Sequence, residues 1–435
     1  MLKIGDKKLI NAWAFYDWAN SVYSLVISTA VFPIYYSSMT ESFQNMDEEI
    51  TFLGTQWDPT TLYDYTMAFS FLIVAILSPI LSGIADYKGN KLGFLKGFCL
   101  LGSLSVMSLF FFDGESTLWV AIVFTILASI GFWGSIVFYN AYLPEVAHPE
   151  DQDRVSAKGF INGYVGSILL LILCLVFVEM HETIGIDKGL ATRITFIIVG
   201  LWWLGFAQVT YRRLPNHKKE NETQENVFWK GFAELKKVLA ELKHQPSLKI
   251  FLISFFLFSV GVQTIILMAG IFGSKELKLE TSSLILAILL VQFVAIAGAA
   301  IFSRVSKKYG NITALKTTIV IWGVVCLAAY SLDKEQANIQ YYFYGLGGLI
   351  GLVLGAIQSL ARSTYSKMLP ETDDHATYFS FYDVTEKIAI VIGMITFGLL
   401  NSVTGSMQQS VLALAIFFIA SFIVLSFLKG TKYVR

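Results

Sequence analysis

The stretch SGIADYKGNK, residues 82–91, separates two long apolar runs. Two glycines, a carboxylate and two lysines stand within it. Gly83 and Gly89 allow a close helix approach and a tight turn. Asp86 can accept from backbone N–H groups or favour a neighbouring helix N-terminus. Lys88 and Lys91 supply positive charge beside it. This pattern suits a short loop between two helices, and the flanking runs decide which solvent those helices meet.

The whole chain answers for a membrane. Its mean hydropathy is +0.61, only 15% of its 435 residues are charged, and 35 are Phe. A soluble chain of this length needs more polar surface. Apolar runs of about 20 residues recur, each long enough to cross roughly 30 Å of hydrocarbon. Twelve spans are expected, at about 10–36, 62–85, 91–112, 117–142, 156–179, 192–213, 248–272, 281–303, 312–332, 340–364, 378–400 and 407–428. The first follows Lys3, Lys7 and Lys8, but it is too long for a signal-peptide core and no small-x-small site closes it, so it is read as a mature span.

Lys and Arg fall overwhelmingly on one side of these spans. With the N-terminus inside, the inner side holds the N-terminal lysines, Lys88, Lys91, Lys96, Arg154, Lys158, the run from Arg212 to Lys249, Arg304 to Lys316, Arg362, Lys367 and the C-terminal basic residues. The outer side holds Lys188, Arg193, Lys275, Lys278 and Lys334. This asymmetry predicts both termini in the cytoplasm. The basic face reads as topology and lipid contact, not nucleic-acid binding. Cys99, Cys174 and Cys326 lie within spans and serve as small apolar residues.

The longest inner segment divides the chain into a bundle at 1–213, a linker at 214–247 and a bundle at 248–435. Phe228, Phe232, Leu235, Leu239 and Leu242 recur at +4/+3 spacing among Lys230, Lys236, Lys237 and Lys243. That is an amphipathic helix, lying on the inner membrane surface or docked on protein. The halves echo each other. YKGNK (Tyr87–Lys91) pairs with KYGNI (Lys308–Ile312), and AYLPEV (Ala141–Val146) with SKMLPE (Ser366–Glu371), at nearly one offset. Repeats of this kind mark secondary transporters, with the substrate between them.

At Ser82–Lys91 the chain resembles the major facilitator superfamily, whose loop between spans two and three reads G-x-x-x-D-x-x-G-x-[KR]. Asp86, Gly89 and Lys91 fit, while Ser82 occupies the first position. In that family the loop latches the inner gate. The second-half counterpart, SRVSKKYGN, has Ser306 where an acid would stand. A narrower resemblance lies in WAFYDWANSVYS, in FYNAYLPEV with DRVSAKGFINGYVGS, and in FYDVTEK. These segments are similar to the autophagy-related vacuolar effluxer family and its bacterial branch. The resemblance implies an all-α fold of twelve transmembrane helices in two pseudo-symmetric six-helix bundles. It implies amino acids or related metabolites as substrates.

In a facilitator, spans one, four, seven and ten line the central cavity. Each carries polar residues here: Asp17 and Asn20, Asn140, Gln263, then Gln358 and Arg362. Asp17, Asn20 and Ser24 share one helix face, as do Gln358 and Arg362. Ionisable groups inside spans are rare and usually functional; the alternative is a structural contact between helices. On the eleventh span, Asp383 and Lys387 are four residues apart and can pair, with Glu386 alongside. A carboxylate left over would carry a proton; a structural pin between halves is the alternative. Glu145, Asp151, Asp153, Arg154 and Lys158 crowd the inner end of spans four and five. With Asp86 and Arg362 they are candidates for ion pairs holding a gate, and a solvated loop is the alternative for Asp151 and Asp153.

The five histidines lie in loops, with no H-E-x-x-H, no G-x-S-x-G and no phosphate-binding loop, so neither an enzyme nor an ATP-driven pump is expected. The expectation is a secondary transporter working by alternating access, coupled to protons, without cofactor or metal. Its partners are a small-molecule substrate, protons and the bilayer. It is expected to act as a monomer in a bacterial cytoplasmic membrane. The rival is a non-transporting receptor or scaffold of the same fold.

Overall fold

The computed structural model describes residues 3–216 and 227–428. Among them, twelve helices are long and apolar enough to cross a membrane. Spans one to six are Lys7–Glu41, Pro59–Lys88, Lys91–Phe111, Glu115–Val146, Pro149–Glu179 and Lys188–Tyr211. Spans seven to twelve are Pro246–Glu276, Ser282–Tyr309, Asn311–Tyr330, Ile339–Met368, His375–Thr404 and Met407–Ser426. Several outrun the hydrophobic stretches that announce them. The tenth reaches Met368 and the eleventh begins at His375, because helices continue past the apolar core into the polar boundary. The C-terminal basic residues Lys429, Lys432 and Arg435, and His217 to Asn226 of the linker, lie outside the described residues.

Helices are the natural solution in hydrocarbon, where every backbone N–H and C=O must be satisfied internally. Their ends are fixed by local chemistry. Asp6 and Asp58 cap spans one and two, the Asp58 Oδ1 accepting from the Thr61 amide at 2.7 Å. Span two ends at Gly89, which adopts the left-handed conformation at φ 60°. Leu72, Ile76, Phe293, Ile416 and Ile419 are exposed, as lipid-facing positions should be.

One face of the bundle carries the described chain ends, the linker and the loop at Gly89; we call it the terminal face. The opposite face carries a hairpin of β1 (Ile50–Phe52) and β2 (Thr55–Trp57), with Phe52 paired to Thr55. Leu53 and Gly54 both have positive φ, as a two-residue hairpin turn demands. This hairpin face is where span one ends.

Span one is largely enclosed by its neighbours. Trp13, Tyr16, Ala19, Val22 and Val26 are fully buried. Its middle, Tyr23–Val31, winds as a π-helix, and the end of span seven does the same over Phe272–Glu276. Thr29 Oγ1 donates to the Ser24 carbonyl at 2.8 Å within the widened turn. Such bulges are frequent at functional sites.

The linker helix, Val227–Lys243, docks on protein. It lies along span two and reaches spans seven and eleven. Gly231 meets Gly83 so closely that a Cβ at Gly83 would stand 2.3 Å from the Gly231 carbonyl oxygen. Lys237 Nζ pairs with Asp374 at 2.7 Å, and Tyr378 Oη donates to Glu241 at 2.9 Å. Burial opposes ionisation of Asp374, but Lys237 outweighs it and holds the carboxyl below its ordinary range. Hydrogen bonds to Asp374 and Glu234 raise the Lys237 ammonium in return. The side chains of Phe228 and Lys230 lie outside the described residues.

Candidate functional site

Between the halves lies a cavity of about 370 Å³. Its lining includes Asp17, Asn20, Asn140, Gln263, Gln358 and Arg362, from spans one, four, seven and ten. It also includes Glu386. The cavity continues past Thr29, Met67, Leu267 and Phe343 toward the hairpin face.

Arg362 is the hub of one wall. Its Nη1 and Nη2 both lie 3.4 Å from Asp17 Oδ2, and Nη1 donates to Asn140 Oδ1 at 3.2 Å. Nε donates to Ser156 Oγ at 2.9 Å and Nη2 to the Ser156 carbonyl at 2.8 Å. Tyr139 Oη donates to the same Asp17 oxygen at 2.8 Å. The guanidinium sits among the rings of Phe160, Trp13 and Tyr139, 4.2, 5.0 and 5.4 Å from their centroids. A buried charge needs such partners, and the aromatic faces add cation–π attraction.

Tyr139, Ser156, Trp13 and Phe160 are absent from the sequence-derived set. So is Gly159, where a Cβ would stand 2.4 Å from Asp17 Oδ2. One signal for them was readable. Ser156, Gly159, Gly163 and Gly166 form a small-residue stripe on span five, the pattern that lets membrane helices approach closely. Span five packs along span one through this stripe.

The second wall is built on span eleven. Gln263 Nε2 donates to Glu386 Oε1 at 2.7 Å. Lys387 Nζ lies 3.0 Å from Asp383 Oδ1, 3.4 Å from Glu386 Oε2, and 3.4 Å from the Trp133 ring centroid. Gln358 Oε1 accepts from Tyr164 Oη at 2.9 Å. Asn20 is buried with neither amide atom partnered.

On its terminal side the cavity is sealed by contacts between the halves. Asp86 receives the Thr377 amide at 2.7 Å, the Thr377 hydroxyl at 2.8 Å and the Ala376 amide at 3.3 Å. These are N-terminal donors of span eleven, so a carboxylate from one half caps a helix of the other. Lys91 pairs with Glu145 within the first half, and His375 Nδ1 of the second half lies 3.1 Å from the same Glu145 oxygen.

A related lock forms on the pseudo-equivalent side. Asp153, at the start of span five, accepts from Ser306 Oγ and Asn311 Nδ2, each at 2.8 Å, and pairs with Lys367 Nζ at 2.8 Å. The acid therefore comes from the helix start, and Ser306 donates to it.

Two expectations are corrected here. Arg154 faces away and pairs only with exposed Asp151, at 3.0 Å, among the described residues. Adjacent helical positions point about 100° apart, so buried Asp153 and exposed Arg154 cannot share a role. Arg362 takes no part among the gate acids; its carboxylate is Asp17.

The family profile described as "Vacuole effluxer Atg22 like" matches residues 5–434. The chain belongs to this family. It is 32% identical to the uncharacterized MFS-type transporter YxiO of Bacillus subtilis over 96% of this chain and 94% of that one. It is 24% identical to autophagy-related protein 22-1 of Aspergillus niger, over 84% of this chain and 72% of that one. The fold is that of solved major facilitator transporters. The proton:xylose symporter XylE superposes with a TM-score of 0.71 at 13% identity, covering 98% of this chain and 97% of that one. FucP in its outward conformation gives 0.66 at 13% identity, covering 98% of each. A bacterial ferroportin homologue in its outward-facing state gives 0.65 at 14% identity, covering 96% and 98%.

Proposed function

We propose that this chain is a secondary active transporter that exports amino acids or related small metabolites by alternating access, coupled to protons. One observation carries the reading. A cavity lined by charged groups from both halves, Asp17, Arg362 and Glu386, is closed on one face by the contacts of Asp86, Glu145 and Asp153 and extends toward the other. Breaking those contacts while the hairpin ends close would present the same cavity to the opposite side. The terminal face is cytoplasmic in this reading, because the basic residues crowd it. The state described then faces outward. The protein acts as a monomer in a bacterial cytoplasmic membrane.

Amino acids enter through kinship with the vacuole effluxers. Asp17, Asp383 and Glu386 are the carboxylates available to carry a proton. Reconstitution into liposomes tests the whole reading. A mixture of labelled amino acids should accumulate against its gradient when a pH difference is imposed, and a proton ionophore should abolish accumulation. Uptake equal to that of protein-free liposomes would contradict it.

A further inference from the structure

Three charged residues line the cavity: Asp17, Arg362 and Glu386. Asp17 is neutralised by Arg362. Behind Glu386, Lys387 is buried against Asp383 and capped by the Trp133 ring. One ammonium thus serves two carboxylates, and it sits closer to Asp383 than to Glu386. The two walls together retain one uncompensated negative charge. Glu386 is the member of its cluster that lines the cavity, with Oε1 aimed by Gln263.

A separate feature points to a ligand in the same space. Asn20 is 1% exposed and lines the cavity, yet neither its amide nitrogen nor its oxygen has a partner. Burying an amide unpaired costs the desolvation of both atoms, which a polar solute would recover.

We infer that Glu386 and Gln263 form the cation-binding end of the substrate site, taking the primary ammonium of a zwitterionic or singly cationic solute. Phe255, Phe258 and Tyr382 also line the cavity, and aromatic faces attract a cation. Asn20 serves the polar remainder of the solute. An anion without an ammonium would meet Glu386 unscreened. The inference rests on reading this cavity as a transport site.

Thermal unfolding of the purified full-length protein tests this with phenethylamine, phenylalaninamide, phenylalanine and N-acetylphenylalanine as probes. A ligand that binds only the folded state raises the midpoint in a dose-dependent way. The first three should raise it and N-acetylphenylalanine should not. Glu386→Gln should abolish the shifts. Gln263→Met, which keeps the carboxylate, should raise the concentration needed for a given shift about tenfold, the loss of one charge-assisted hydrogen bond; it serves also if Glu386→Gln fails to fold. An equal shift from N-acetylphenylalanine, an unchanged shift in Glu386→Gln, or no shift from any ammonium probe at about 10 mM would overturn the inference. Liposome flux separates the two claims. Flux of a solute lacking an ammonium overturns the cation site and leaves transport standing. Ammonium binding without any flux supports the site and removes transport.

Discussion

Asp86 and Thr377 join the two halves at the terminal face. The carboxylate of span two accepts both the backbone amide and the hydroxyl of Thr377, at 2.7 and 2.8 Å, together with the Ala376 amide, 290 residues along the chain, and so caps the helix that begins at His375. Span eleven has no side-chain cap of its own at Asp374. The cap therefore exists only while the halves are together on this face.

Asp86→Ala should weaken that closure selectively. Losing a helix cap to Ala costs roughly 0.5–2 kcal/mol, so the closed population should fall by about twofold to thirtyfold relative to the open one. Single-molecule distances across the face in Asp86→Ala read the population directly, and an unchanged distribution would contradict the role given to Asp86.

The Asp17–Arg362 pair should behave as a unit. Removing one partner of a buried ion pair strands the other charge, at a cost of about 3–5 kcal/mol. Arg362→Ala and Asp17→Ala should each lower the thermal midpoint. The double variant should be more stable than the sum of the single losses implies. Additive losses in a double-mutant cycle would show that the two do not act together.

Gly159→Ala places a methyl 2.4 Å from Asp17 Oδ2. The pair must shift, so transport should fall at least tenfold while the protein still folds and inserts. Wild-type flux in this variant would show that the geometry of the pair is immaterial.

Docking of the linker helix should be indifferent to pH between about 5 and 9. Asp374 titrates below its ordinary 3.8, so its share of the contact is present above that value and lost only as pH falls through the lower folded one. Lys237 is raised above its ordinary 10.5, so its share is present below that value and lost only at still higher pH. Proteolytic cleavage of the linker should be equally slow at pH 5 and pH 9, and faster in Gly231→Leu, which cannot pack on Gly83.

Much of this architecture was legible because hydrocarbon imposes length and polarity so strictly. Asp17, Asn140 and Arg362 stood out as rare groups in apolar helices, and the structure brings them within hydrogen-bonding reach of one another. Their supports did not stand out. Tyr139, Ser156 and Gly159 are ordinary residues in a membrane helix, and only the spacing of the small ones hints at close packing. Asp153 and Arg154 are neighbours in sequence, so charge alone could not say which faced inward. The amphipathic stripe of the linker suits lipid or protein equally. The cue was Gly231, which costs a helix about 1 kcal/mol and is explained by its contact with Gly83.

Alternating access is the central claim, and paired distances test it most directly. Spin labels at exposed Lys88 and Glu371 span the halves on the terminal face; labels at exposed Thr61 and Lys278 span them on the hairpin face. The account predicts that a change of pH or an added amino acid mixture lengthens the first distance and shortens the second in the same population of molecules. Distances that stay fixed on both faces under every such condition, in folded and reconstituted protein, would contradict it.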